Sequence, residues 1–249
     1  MFLRIAYAVE VGLQPQQLPG DVPGDASRPQ ATIIVLGDSL SAGYGIALQK
    51  AWPSLLQERL LLAGYPLQVV NASVSGETTK GGLSRVGKLL KNHQPQLVLI
   101  ELGANDGLRG VPANHAKNNL QGIIDKVINA GAEVLLFEMI VPPNYGEKFT
   151  QLYTKMYEDV AKLPNVNLVP FFLQGVVFAP GMMQEDGLHP TEKAQPVLLD
   201  HVWPYVEDTI QKIAGKEHAG CEEDQGLAAV LEIAGIECDE VGELDEILQ

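Results

Sequence analysis

The sequence predicts an α/β protein, a three-layer α/β/α sandwich around a five-stranded parallel sheet. Three observations carry that reading. Apolar strand-like runs alternate along the chain with stretches of helical periodicity, the order that yields parallel strands joined by right-handed crossovers. The runs are continuous rather than alternating, as in Ala31-Thr32-Ile33-Ile34-Val35-Leu36, which is the pattern of strands buried on both faces. Each of the first three runs also gives way to a polar cluster containing glycine, and the carboxyl ends of parallel strands form the edge at which open sheets carry ligands.

In order, residues 14–30 hold four prolines (Pro15, Pro19, Pro23, Pro29) and two Gly-Asp pairs, which reads as an extended lead-in over residues 1–30. The domain spans residues 31–215. Its first strand covers Ala31 to Leu36 and runs into Gly37-Asp38-Ser39-Leu40-Ser41, taken as a loop. Leu55, Leu56, Leu60 and Leu61 predict a helix from Ala51 to Ala63, with Pro53 in the first turn and Gly64 as the stop. Leu67 to Val70 is a second strand, ending at Asn71-Ala72-Ser73-Val74-Ser75-Gly76. A helix from Thr78 to Asn92 leads to a third strand, Gln96 to Leu102, which ends at Gly103-Ala104-Asn105-Asp106. Leu120, Ile123, Ile124, Val127 and Ile128 mark an amphipathic helix from Asn114 to Ala130. A fourth strand follows at Glu133 to Glu138, then a loop through Pro142-Pro143-Asn144-Tyr145-Gly146. A helix from Glu147 to Leu163, a strand from Val166 to Val169 and a last helix from Thr191 to about Ile213 complete the domain.

Composition limits what such a domain does. With 249 residues, 46% of them apolar, the chain can bury a full core, and no apolar run approaches the ~18 residues of a membrane span. Formal charge is −14, but residues 216–249 hold eleven acids and one lysine, leaving the body at 16 basic against 20 acidic residues. The body is therefore only mildly acidic, and no basic stripe points to nucleic acid. Residues 216–249 read as a solvated acidic tail, with a short amphipathic helix over residues 226–234 as the alternative. Both cysteines, Cys221 and Cys238, lie in that tail; they can pair, but they make neither a disulfide framework nor a zinc site. At the N-terminus, Ile5-Ala6-Tyr7-Ala8-Val9 is interrupted by Glu10, too short for the ~7 apolar residues of a secretory core, so no signal peptide is assigned.

The candidate chemistry gathers at the strand ends. Ser39 is a candidate nucleophile, although a serine there also starts turns. Such a hydroxyl needs a base. The body offers His93, His115, His189 and His201, and His189 alone has an acid three residues before it in a glycine-containing loop, Asp186-Gly187-Leu188-His189-Pro190. That spacing lets Asp186 reach the imidazole and set its tautomer; the bland alternative is a plain helix start. Acyl transfer also needs donors for the developing oxyanion. The backbone N–H groups of Ser39 and Gly76 and the side-chain amide of Asn105 can supply them, against the simpler readings of a turn glycine and an Asx turn. A phosphate-cradling module is disfavoured, because the first loop lacks Gly-x-x-x-x-Gly-Lys-Ser/Thr and Gly43-Tyr44-Gly45 has no third glycine in register.

Together these blocks resemble the SGNH (GDSL) hydrolase family, in order and at matching spacing, from about Ala31 to Ile213. The resemblance rests on Gly37-Asp38-Ser39-Leu40-Ser41-Ala42-Gly43-Tyr44, Asn71 to Thr78, Glu101 to Gly110, Pro143-Asn144-Tyr145-Gly146 and Asp186 to Pro190. It implies a flavodoxin-like sandwich and a catalytic set of Ser39, Asp186 and His189, with Ser39, Gly76 and Asn105 forming the oxyanion hole. It implies a serine esterase/thioesterase acting on aryl esters, fatty acyl thioesters and lysophospholipids through an acyl-enzyme on Ser39, with no metal and no organic cofactor. Its partners are then small acyl esters or thioesters; the composition adds no nucleic acid and no integral membrane segment, and the oligomeric state is left open, a monomer being compatible. A small-acyl (acetyl) carbohydrate esterase on the same scaffold is the alternative. Relatives of this kind imply a periplasmic or secreted setting, while the missing signal segment leaves the cytoplasm open.

Overall fold

The computed structural model of the chain describes residues 31–223, with side chains for 31–215. The lead-in of residues 1–30, the pairing of Cys221 with Cys238 and the helix read over residues 226–234 lie outside the described residues.

Five strands build one sheet: β1 (Thr32–Gly37), β2 (Gln68–Asn71), β3 (Leu97–Glu101), β4 (Glu133–Phe137) and β5 (Val166–Val169). Their order is β2-β1-β3-β4-β5 and every pairing is parallel. The continuous apolar runs predicted for the middle of the sheet sit there: every residue of β1 and β3 is buried, while the edge strands β2 and β5 are partly exposed. Strands covered by helices on both faces need no polar side, which is why their sequences do not alternate.

Helices fill the two outer layers. One holds α2 (Trp52–Leu62) and the long α7 (Gln195–Glu223), which pack on each other; the other holds α3 (Thr79–His93), α5 (Ala113–Asn129) and α6 (Glu147–Val160), packed in series. Leu56 and Leu60 from α2, Leu120, Ile123, Ile124 and Val127 from α5, and Leu198 and Val202 from α7 are all buried in the one core. Predicted element ends shift by one to three residues, with larger departures in four places. The region after β1 is not a loop but a one-turn helix, α1 (Ser39–Ala42), and a second short helix, α4 (Ala104–Leu108), follows β3. The Pro142–Gly146 loop contains a 3-10 turn, Pro143–Tyr145. The last helix is preceded by another, Glu192–Ala194, and then runs through Pro204 to Glu223.

The strand order reverses direction at β1: the chain moves from β1 out to β2, then returns past β1 to β3. Ligands gather at such a switch point, outside the carboxyl ends of the two strands that flank it. Here the flanking strands are β1 and β3, paired so that Gly37 lies opposite Glu101. The segments that follow the strands, Asp38-Ser39 and, past Leu102, Gly103-Ala104-Asn105, are therefore neighbours despite their separation in sequence.

Candidate active site

Ser39 is the first residue of α1. Asp38 caps this helix, its Oδ1 accepting the Leu40 N–H at 2.9 Å, and Gly43 ends it in a left-handed conformation with φ of 76°. The strand thus turns at once into a tight helical turn that leaves Ser39 half-buried at the sheet edge. Its Oγ lies 2.9 Å from Nε2 of His189.

His189 belongs to a narrow loop closed by the bridge between Met183 and Pro190, with the Gln184 N–H donating to the His189 carbonyl at 2.7 Å. The Gln184 amide also donates to the carbonyls of Tyr44 and Pro190, tying this loop to the one after α1. The Tyr44 ring lies against the imidazole, with centroids 4.4 Å apart. Asp186 Oδ2 is 2.6 Å from His189 Nδ1, and its Oδ1 accepts the N–H groups of Leu188 and His189. The contact with His189, followed by those two N–H groups, lowers the Asp186 carboxyl to about 2. That carboxylate, with its side chain 39% exposed, stays ionised at neutral pH.

The proposed oxyanion donors converge on the same edge. Asn105 stands in the first turn of α4, after Gly103, whose φ of 122° permits the abrupt change of direction at the strand end. One Nδ2–H of Asn105 donates to Asp38 Oδ2 at 2.9 Å, which leaves its second N–H for another acceptor. Gly76 has φ of 75°, and its carbonyl accepts from the Arg109 guanidinium at 2.9 Å. The loop before it is fastened to β1 by the Val74 N–H donating to the Gly37 carbonyl. Among the described residues, no backbone acceptor engages the N–H of Ser39 or of Gly76.

The other histidines lie elsewhere. His93 ends α3, His115 is exposed near the start of α5, and His201 Nε2 bonds the Pro170 carbonyl. Among the described residues, no group of three or more His, Cys, Asp or Glu side chains is arranged to hold a metal ion.

Sequence reasoning missed the acid beneath the Ser39 turn. Glu101 is fully buried at the end of β3, its Oε2 accepting from the Asp38 N–H at 3.2 Å and the Ser41 hydroxyl at 2.8 Å. Asp38 is buried as well, and burial raises its carboxyl to about 6 against the hydrogen bonds that lower it. Burial and the Asp38 charge push Glu101 well above the ordinary glutamate value. The available signal was an acid at the end of an otherwise apolar strand; its register against Gly37 is not legible from sequence.

Residues 35–195 match the family model for GDSL-like lipases and acylhydrolases. An arylesterase of Vibrio mimicus is 46% identical over 177 residues, 71% of this chain and 88% of that protein. The thioesterase 1/protease 1/lysophospholipase L1 of Escherichia coli K12 is 44% identical over 169 residues, covering 68% of this chain and 80% of that one. Among solved structures, the psychrotrophic esterase EstA of Pseudoalteromonas, inhibited by monoethylphosphonate, superposes with a TM-score of 0.70 at 38% identity, over 72% of this chain and 98% of that one.

Proposed function

The chain belongs to the GDSL-like lipase/acylhydrolase family and is an esterase/thioesterase of it, and we propose that it works through an acyl-enzyme on Ser39. The single observation that supports this most is the continuous contact from Ser39 Oγ to His189 Nε2 at 2.9 Å and from His189 Nδ1 to Asp186 at 2.6 Å.

In this reading Ser39 Oγ attacks the acyl carbonyl while His189 Nε2 takes its proton. Asp186 holds the Nδ1–H and stabilises the imidazolium that forms. The tetrahedral oxyanion accepts from the N–H groups of Ser39 and Gly76 and the amide of Asn105, donors set in place before the charge develops. His189 then protonates the leaving alcohol or thiol. Water enters, gives a proton to His189, and its oxygen attacks the acyl-enzyme. Collapse of the second tetrahedral species frees the acid and returns the proton to Ser39.

The proposed substrates are aryl esters, fatty acyl thioesters and lysophospholipids, in keeping with relatives named for those activities. The loops Leu108 to Pro112 and Val141 to Gly146 are proposed to line an acyl groove. They touch each other, since the Tyr145 hydroxyl donates to the Leu108 carbonyl at 2.9 Å, and Ile140 and Tyr145 expose apolar surface beside them. Residues 31–215 are proposed as the catalytic unit, and the family likeness supports a periplasmic or secreted setting. No helix among the described residues is long and apolar enough to cross a membrane.

The test is a panel of esters and thioesters that varies acyl length at a fixed leaving group, run with Ser39→Ala beside the unaltered enzyme. The expected result is turnover of long-chain aryl esters and acyl thioesters, and loss of both turnover and organophosphonate labelling in the variant. Covalent labelling that persists without Ser39 would sink the assignment. Turnover confined to acetyl esters of carbohydrates would point instead to the deacetylase reading.

A further inference from the structure

Asp38 and Glu101 place two carboxyl groups together under the Ser39 turn, with 1% and 0% of their surfaces exposed. Their hydrogen bonds are unequal. Asp38 receives one N–H on each oxygen, from Leu40 on Oδ1 and from Asn105 on Oδ2. Glu101 receives two donors on Oε2, the Asp38 N–H and the Ser41 hydroxyl, and none on Oε1. The direction of the Ser41 bond is set by Trp52, whose indole N–H donates to Ser41 Oγ at 3.2 Å and leaves the hydroxyl proton for Glu101.

Two adjacent carboxylates in such a site cannot both be ionised, because desolvation and mutual repulsion act together. The charge belongs on the group with both oxygens served, which is Asp38. The proton then belongs on the oxygen that lacks a donor, Glu101 Oε1, because a buried carboxyl oxygen with no donor costs most while it carries charge. The two side chains are within hydrogen-bonding reach of each other. The remaining titratable neighbours agree with this division. His189 acts on Asp38 in the direction that favours its ionisation, and the Tyr157 hydroxyl, occupied with the Leu102 carbonyl, is held far above its ordinary value by burial and the surrounding acids.

We propose that Glu101 is a positioning residue for the hydrolytic reaction: a neutral carboxylic acid that donates to Asp38 and, through Asp38, fixes the Asn105 amide that faces the oxyanion. The inference rests on the reading of Asn105 as an oxyanion donor and extends the machinery one residue below it. Glu101 also secures the other side of the site, since it holds the backbone N–H next to Ser39 as well as Ser41, and the Asn71 amide donates to the Ser41 carbonyl at 2.8 Å. One buried acid thereby braces both the nucleophile turn and a side-chain oxyanion donor.

The test compares Glu101→Gln and Glu101→Leu in the full chain and repeats Glu101→Leu in an Asn105→Ala background, reading kcat and KM separately with thermal unfolding as a check. Glutamine reproduces the neutral acid, with a carbonyl for the Asp38 N–H and Ser41 and an amide N–H for Asp38; leucine provides neither. Glu101→Leu is expected to lower kcat about 10²-fold with KM nearly unchanged, the scale of a lost oxyanion donor, and Glu101→Gln to recover at least about tenfold of that loss. In the Asn105→Ala background the leucine substitution should cost little more, because the two residues act as a unit. A glutamine variant as impaired as the leucine one overturns the proposal, since it would mean that Glu101 acts as an anion. So does a leucine cost that is unchanged without Asn105. If Glu101→Leu does not fold, the glutamine variant decides alone: a loss near 10²-fold overturns the neutral-acid role, and a loss under about tenfold supports it. Wild-type kcat in Asn105→Ala by itself would instead remove the oxyanion reading on which the proposal stands.

Discussion

Ser39 Oγ and His189 Nε2 lie 2.9 Å apart across 150 residues of chain. Two local devices bring them there. The one-turn helix α1 lifts Ser39 out of β1 at the carboxyl edge of the sheet, and the loop closed at Met183 and Pro190 presents the imidazole over it. Neither device stands alone. Gln184 bonds the Tyr44 carbonyl just beyond α1, and the Tyr44 ring packs on the imidazole, so the proposed nucleophile and base share one support.

From that arrangement, Asp186→Asn should keep its size while losing the carboxylate that holds the Nδ1–H of His189. The expected loss in kcat is up to ~10⁴-fold, as in the handicapped tautomer of other serine hydrolases, with KM changing far less. Steady-state kinetics on one aryl ester suffices. A loss below about tenfold would mean that the backbone of the Gln184–Pro190 loop orients the ring without help from the acid.

Asn105→Ala removes the one side-chain donor proposed for the oxyanion. It is expected to lower kcat by ~10²- to 10³-fold, or about 3–4 kcal/mol of transition-state stabilisation, and to leave the rate of phosphonate labelling less affected than Ser39→Ala does. Fold integrity is checked by near-ultraviolet dichroism, because Asn105 also serves Asp38. An unchanged kcat would assign the oxyanion to the backbone donors of Ser39 and Gly76 alone.

Much of this is legible in the sequence, for physical reasons that also explain the rest. β1, β3 and β4 are central strands, and burial on both faces writes itself into the chain as unbroken apolar runs such as Ile33 to Leu36 and Leu97 to Ile100. Ser39, Gly76 and Asn105 stand out as candidates because the ends of parallel strands share an edge whatever the register, and His189 because Asp186 lies three residues before it. What stayed hidden depends on registers and short elements. Helices of four and five residues, such as α1 and α4, are too brief to show a period. Glu101 read as one polar residue at a strand end, and only the pairing of Gly37 with Glu101 puts it under Asp38. The closeness is tight enough that a Cβ on Gly37 would stand 2.8 Å from Glu101 Oε2 and from Ser41 Oγ, which gives that glycine a reason beyond turning the chain.

The acids of this site also separate in how they couple stability to pH. Asp186 titrates at about 2 in the folded chain against 3.8 for an ordinary aspartate, held down first by the His189 contact and then by two backbone N–H groups. Its contribution is therefore fully present above about pH 4 and is lost as pH falls through about 2, because the unfolded chain binds the proton first. Asp38 has the opposite sign. Burial raises it to about 6, so its contribution is present below about pH 4 and is lost as pH rises through about 6. Comparing thermal unfolding of the unaltered enzyme and Asp186→Asn from pH 2 to 8 isolates the first acid. The difference in melting temperature is expected to be smallest near pH 2, to grow up to about pH 4 and to stay level from there to pH 8. A difference that does not change between pH 2 and 4 would mean that Asp186 is not held down by His189 in solution.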